Sequence, residues 1–164
     1  MARETHAHLS SFDALEAFLG SKSSRKIKNN TTAVRRDADT IAVQLHGTDV
    51  VTFLREWEDV MTGRGYQRVQ RDSVILNSGG WQSVTTKARM NEFLPARFGV
   101  TQDNYQWFII DRNQPNPWDK STRLAYRDGV TLELGERVLS GAICEELEEN
   151  GTCIHSSHMA RAGF

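Results

Sequence analysis

From Thr31 onward, apolar and polar residues alternate with a period of two, and turn-forming residues interrupt the alternation at short intervals. Ile41-Ala42-Val43-Gln44-Leu45-His46 sets Ile41, Val43 and Leu45 on one face and Ala42, Gln44 and His46 on the other. Successive side chains of a strand point to opposite faces, whereas a helix repeats its apolar positions every three to four residues. The pattern therefore demands a sheet with one buried side. Thr31–Val34 and Val50–Leu54 read as neighbouring strands, with Asp37-Ala38-Asp39 and Gly47-Thr48-Asp49 as the turns. A meander of short antiparallel strands follows.

Other segments dress this sheet. Ser10 to Gly20 predicts a short amphipathic helix, with a serine to cap its start, Gly20 to end it and Phe12, Leu15, Ala17, Phe18 and Leu19 as a mostly one-sided apolar stripe. Lys22 to Lys28 reads as a polar, basic linker. Arg55 to Asp72 reads as an extended hairpin turning at Gly63-Arg64-Gly65, and Val74–Asn77 returns to the sheet. Thr85 or Thr86 would cap a second helix carrying Ala88, Met90, Phe93 and Leu94, which Pro95 ends. Tyr105–Asp111 is a strongly apolar strand, and Arg112–Lys120, with Pro115 and Pro117, is a loop. Asp128-Gly129 predicts a hairpin between Leu124–Tyr126 and Val130–Leu132. Val138–Glu149 reads as a helix with an acidic end. The fold class expected is α+β: an antiparallel sheet of several short strands, a helix packed on it, and short helices at both termini. A single domain is expected, with an N-terminal helix extension at 1–20, a core at 25–134 and a tail at 135–164.

Composition bounds the function. In 164 residues, 20 Lys and Arg balance 21 Asp and Glu, for a net charge of −1, which excludes a uniformly basic nucleic-acid binder but not a local anion site. No apolar run approaches the roughly 18 residues of a membrane span. The N-terminus shows no apolar stretch of signal-peptide length, so a reducing cytosol is expected and a Cys144–Cys153 disulfide is not. Cys144, Cys153, His155 and His158 are zinc-type ligands, yet their spacing matches no short CxxC clamp, and no metal or cofactor is assigned.

No nucleophile elbow, phosphate-binding loop, zinc-protease motif or dinucleotide fingerprint is present, and the chain is not expected to be an enzyme. His46 with Asp49 is the one acid–base pair worth weighing, and it sits around a turn. The block Asn77 to Asn91 is the richest in binding groups. Paired glycines permit close approach, Trp81 offers a stacking face, and a Ser/Thr-rich helix start suits phosphate. Lys87 and Arg89 add charge, and Asn91 presents an amide edge. The same block is equally well a strand end, a glycine turn, a core tryptophan and a capped helix. The run Lys22, Arg25, Lys26, Lys28, Arg35, Arg36 is either a solvated edge or a phosphate patch.

Arg25-Lys26-Ile27 with Asn29-Asn30-Thr31, Ile41 to His46, Thr48 to Phe53, Leu76 to Trp81, Val84 to Lys87 and Arg89-Met90-Asn91 together resemble a small protein family spread widely in bacteriophages and prophages. The chain looks like the Thoeris anti-defence sponge family over about Arg25 to Asn91, and more loosely over Tyr105 to Leu132. The Leu54–Ser73 hairpin, longer than that pattern has, and both terminal segments depart from it. The resemblance implies a non-enzymatic protein that sequesters a cyclic ADP-ribose isomer, with some members holding cyclic di- or trinucleotides at a second site. It also implies a homo-oligomer, dimer or hexamer, acting in the cytoplasm of an infected bacterium. On this reading the ligand would meet Trp81, Lys87, Arg89 and Asn91, with Arg97 or Arg112 nearby. Arg25, Lys26 and Lys28 would form a second, phosphate-rich patch, and Phe12, Phe18 and Leu19 or the sheet face an interface. Three readings compete: a single-stranded nucleic-acid binder stacking bases on Trp81, Trp107 and Tyr105, an enzyme degrading a nucleotide signal through His46 and Asp49, and a structural phage protein.

Overall fold

The computed structural model describes residues 7–144, with side chains from 8 to 138. After a 3₁₀ turn at Ala7–Leu9, the elements are α1 (Phe12–Leu19), β1 (Ser24–Lys28), β2 (Thr31–Asp37), β3 (Thr40–Leu45), β4 (Thr48–Thr62), β5 (Gly65–Leu76), α2 (Val84–Phe93), β6 (Phe98–Asp103), β7 (Gln106–Asp111), β8 (Leu124–Ala125) and β9 (Val130–Cys144). One sheet runs in the order β1-β2-β3-β4-β5-β9 and a smaller one in the order β6-β7-β8. Antiparallel sheet dominates the fold, and two α-helices accompany it among the described residues.

The chain divides into two compact units, one of residues up to Leu54 with Val74–Leu132, the other of Arg55–Ser73 with the chain from Glu133 onward. In the first unit the register explains the alternation. Ala33, Val43 and Val51 lie in one cross-strand row and Arg35, Ile41 and Phe53 in the next, all on one face. Ile41, Val43, Val51 and Phe53 on that face are fully buried. A β-bulge breaks the β3–β4 ladder after Val43, because Gln44 faces Asp49 and Val50 is the extra residue.

Both helices pack on this unit. Ser11 caps α1 by accepting the Ala14 amide at 3.1 Å, and Gly20 closes it. Phe12, Leu15 and Leu19 are buried against the chain's own core, which removes Phe12 and Leu19 from the expected interface. Ser83, not Thr85 or Thr86, caps α2, accepting the Thr86 amide at 3.1 Å. Met90 and Phe93 are its fully buried anchors.

Three further expectations are corrected. Residues 24–28 form a strand at the sheet margin rather than a linker; a margin strand needs only one pairing partner and little apolar content, so its polarity hid it. Val138–Cys144 is strand, so that part of the predicted C-terminal helix does not form, and 145–149 lie outside the described residues. Asp128-Gly129 does turn the chain, but β8 pairs with β7 while β9 joins the large sheet, so no hairpin forms there. β6 is an additional strand that the sequence pattern does not announce, because Gly99 interrupts its short alternation.

In the second unit the extended hairpin forms as expected and is laced by ion pairs. Arg55 grips Asp72 with two bonds of 2.9 Å, Arg71 pairs with both Glu58 and Glu136, and Arg68 reaches Asp59 at 3.2 Å. No helix among the described residues is long and apolar enough to cross a membrane.

Candidate functional site

In the loop after β5 the backbone leaves regular structure. Gly79 and Gly80 have φ of +62° and +84°, and a Cβ on Gly79 would lie 2.7 Å from the Thr48 hydroxyl. Asn77 accepts the Gly79 amide on its side chain at 2.7 Å, and the Asn77 amide donates to the Val50 carbonyl. Beneath the loop sits Asp128. Its Oδ1 accepts the Ser78 amide at 2.8 Å, the Ser78 hydroxyl at 2.7 Å and the Tyr126 hydroxyl at 2.7 Å, while Oδ2 accepts the Gly80 amide at 3.3 Å. Loss of solvent pushes the Asp128 carboxyl up, but the bonds from Ser78, Tyr126 and Gly80 outweigh it and hold it below the usual carboxylate range. Burial first, then the adjacent carboxylate, pushes the Tyr126 phenol well above its ordinary value, so it stays a donor.

A loop fastened in this way presents an exposed indole. Trp81 is 76 % exposed, although its amide donates to the Ser78 carbonyl at 3.0 Å and its carbonyl accepts the Ser83 amide at 2.9 Å. The ring stands at a cavity of about 510 Å³ lined also by the β3–β4 turn, by Val50 of the bulge, and by Ser78, Ser83, Thr85 and Thr86. That volume lies within the roughly 300–1,000 Å³ of small-molecule sites. The lining is rich in hydroxyls, and the start of α2 opens into it. A helix leaves its first amides without intrahelical partners, and beyond the Thr86 amide taken by Ser83, those of Val84 and Thr85 carry no bond among the described residues.

The other expected ligand residues do not join Trp81 here. Lys87 donates to the Gln102 side chain at 2.9 Å. Arg89 donates to the Thr31 hydroxyl at 3.1 Å and pairs with Glu92. Asn91 spends its amide on the β6 backbone, donating to the Val100 carbonyl at 2.9 Å and accepting the Val100 amide at 2.8 Å. Arg97 grips Asp111 with two bonds of 2.9 Å and stacks on Phe98; that carboxylate raises the guanidinium, and the guanidinium lowers the carboxyl. Arg112 donates to the carbonyls of Ala96 and Phe98, and with Asn91 it lines a separate cavity of about 550 Å³.

In the basic run, Arg25 binds the Phe18 carbonyl at 2.9 Å and lies over its ring, and Lys28 pairs with Glu92. Lys26 alone of those three has no intramolecular partner among the described residues. Asp49 is held by Arg36 at 3.0 and 2.6 Å and by Gln44, so it is turned to those partners rather than to His46. Trp107 is 2 % exposed, edge-on to Tyr126, so the expected three-ring stacking platform does not assemble. The sequence singles out His46 only as a partner of Asp49, and Ser83 only within the hydroxyl-rich start of α2; the fold brings both, with Thr48, to the cavity lining. Their signal was the turn at 46–47 and the run of hydroxyls before α2.

No group of three or more His, Cys, Asp or Glu is placed to hold a metal among the described residues; Cys153, His155 and His158 lie outside them. Neither the curated proteins nor the solved structures contain a match to the chain. A family model described as Kyanoviridae Gp96 protein matches residues 10–131, well over half of the chain and the whole of the Trp81 cavity. The chain therefore belongs to the Kyanoviridae Gp96 family, a family of small bacteriophage proteins.

Proposed function

We propose that the chain is a binding protein that takes a nucleotide-class ligand into the Trp81 cavity and holds it unchanged. The observation that carries this reading is a tryptophan kept in solvent by a loop with a dense set of its own hydrogen bonds. A fully fastened loop that displays an indole is organised for contact with a flat ring, and base–aromatic stacking contributes roughly 1–3 kcal/mol per base. The hydroxyls and first amides of α2 supply partners for sugar and phosphate oxygens.

Taken with the resemblance to Thoeris anti-defence proteins, the ligand proposed is a cyclic ADP-ribose isomer or a related cyclic nucleotide immune signal. The protein would be a homo-oligomer acting in the cytoplasm of the infected host. Single-stranded nucleic acid is the weaker reading, because burial of Trp107 leaves it without a row of rings.

The test is to incubate the protein with a cyclic ADP-ribose isomer, remove free ligand, heat to denature, and weigh what is released. Intact ligand appearing only after heating supports sequestration. Converted ligand points to an enzyme, and absence of uptake defeats the proposal.

A further inference from the structure

We propose that His46 is the specificity-determining residue of this cavity, selecting ligands that carry a phosphate. The inference rests on the nucleotide reading above. Among the residues lining the cavity, His46 is the one whose side chain can carry positive charge. The cations expected to meet a phosphate are held elsewhere: Arg89 by Thr31 and Glu92, Arg97 by Asp111, and Lys87 by Gln102. An anionic group entering here meets hydroxyls, amides and one imidazole, which donates through a ring nitrogen.

The backbone at His46 fixes the residue at the cavity. β3 and β4 are joined by a two-residue turn, His46-Gly47, closed by the Leu45–Thr48 pair. His46 has φ +54°, in the left-handed region, whereas Gly47 lies outside it. Glycine enters that region most readily, and asparagine, aspartate and histidine do so more often than other residues. The glycine thus stands where the turn has no need of it, and the histidine where it has. The His46 amide donates to the Asn30 carbonyl at 2.8 Å, so the neighbouring turn holds the conformation in place. The turn thus fixes His46 in a left-handed conformation at the edge of the cavity, as the turn between β6 and β7 fixes Asn104 and Tyr105.

The experiment compares AMP with adenosine by calorimetry on the full chain and on His46→Asn, with thermal unfolding alongside. Asparagine suits the left-handed turn, so the variant should melt at or above the wild-type temperature. Wild type should prefer AMP by about tenfold or more, the lower end for a hydrogen bond to a charged group. In His46→Asn the preference should shrink to under about threefold, with adenosine affinity unchanged.

Equal wild-type affinity for the two probes, a preference that survives in the variant, or a lowered melting temperature would each overturn the role of His46. All three leave nucleotide binding standing. If neither probe binds but cyclic ADP-ribose does, its affinity must fall about tenfold in His46→Asn, and an unchanged affinity overturns the inference. If none of the three ligands binds the wild type, the nucleotide reading itself fails, and the inference with it.

Discussion

Replacing Asp128 with alanine removes the acceptor for four hydrogen bonds, those from the Ser78 amide, the Ser78 hydroxyl, the Tyr126 hydroxyl and the Gly80 amide. A hydrogen bond to a charged group contributes about 1.5–3 kcal/mol net. Three of these share one oxygen, the fourth is long, and the carboxylate keeps contact with solvent, so the contributions do not add. A loss of about 2–3 kcal/mol is expected, at the lower end for a charged hub. For a chain of this size that corresponds to a fall in Tm of roughly 5–10 °C.

Circular dichroism melts at pH 7 measure the change, and the difference in acrylamide quenching against Trp81→Phe isolates the loop. The pH dependence fixes the cause. The folded carboxyl lies below its ordinary value, so its stabilisation is complete above the unfolded value of about 3.9 and is lost as pH falls through the lower folded value. The gap between wild type and Asp128→Ala should therefore be constant from about pH 5 to 8 and close only below about pH 4. A Tm difference under about 1 °C at pH 7, or a gap that closes near neutrality, would refute the reasoning.

Three further outcomes are expected. Trp81→Ala should leave Tm within about 2 °C of wild type, since the ring is mostly in solvent, while abolishing ligand uptake in the heat-release assay. Gly79→Ala should destabilise by about 1–3 kcal/mol, because its φ is positive and its Cβ would meet Thr48; adding Thr48→Ala should restore the steric part and not the backbone part, as read by urea unfolding. Ser83→Ala should cost about 1 kcal/mol in the same assay through loss of the α2 cap, and a cost near zero would mean that Thr85 or Thr86 takes over.

The sheet was legible because each of β2 to β4 obeys its own alternation, a local property. The Trp81 loop was legible as composition, since paired glycines, which reach positive φ most readily, precede an aromatic and a row of capping residues. What could not be read was the pairing of charge. Arg97 and Asp111 are fourteen residues apart, and Lys28 and Glu92 sixty-four; only the fold brings them together, so side chains that look like ligand donors in sequence are already engaged. Thr85 or Thr86 is expected as the cap because the run of hydroxyls leaves the helix start open; in the fold the Thr86 amide finds the Ser83 oxygen instead. The stretch Val138–Cys144 is ambiguous by period, and its pairing in the large sheet decides for strand.

Asn91 gives one strand of the small sheet a partner that is not a strand. β6 is a margin strand, and the Asn91 amide meets both the N–H and the C=O of Val100, as a peptide unit of a neighbouring chain would. A margin closed there offers no template to a second polypeptide at that residue. It also locks two kinds of order to each other. Sliding α2 along β6 by a single residue would break both bonds at once, whatever the apolar side chains between them do. The alignment of helix and sheet in this unit is therefore keyed to main-chain atoms as well as to the buried Met90 and Phe93.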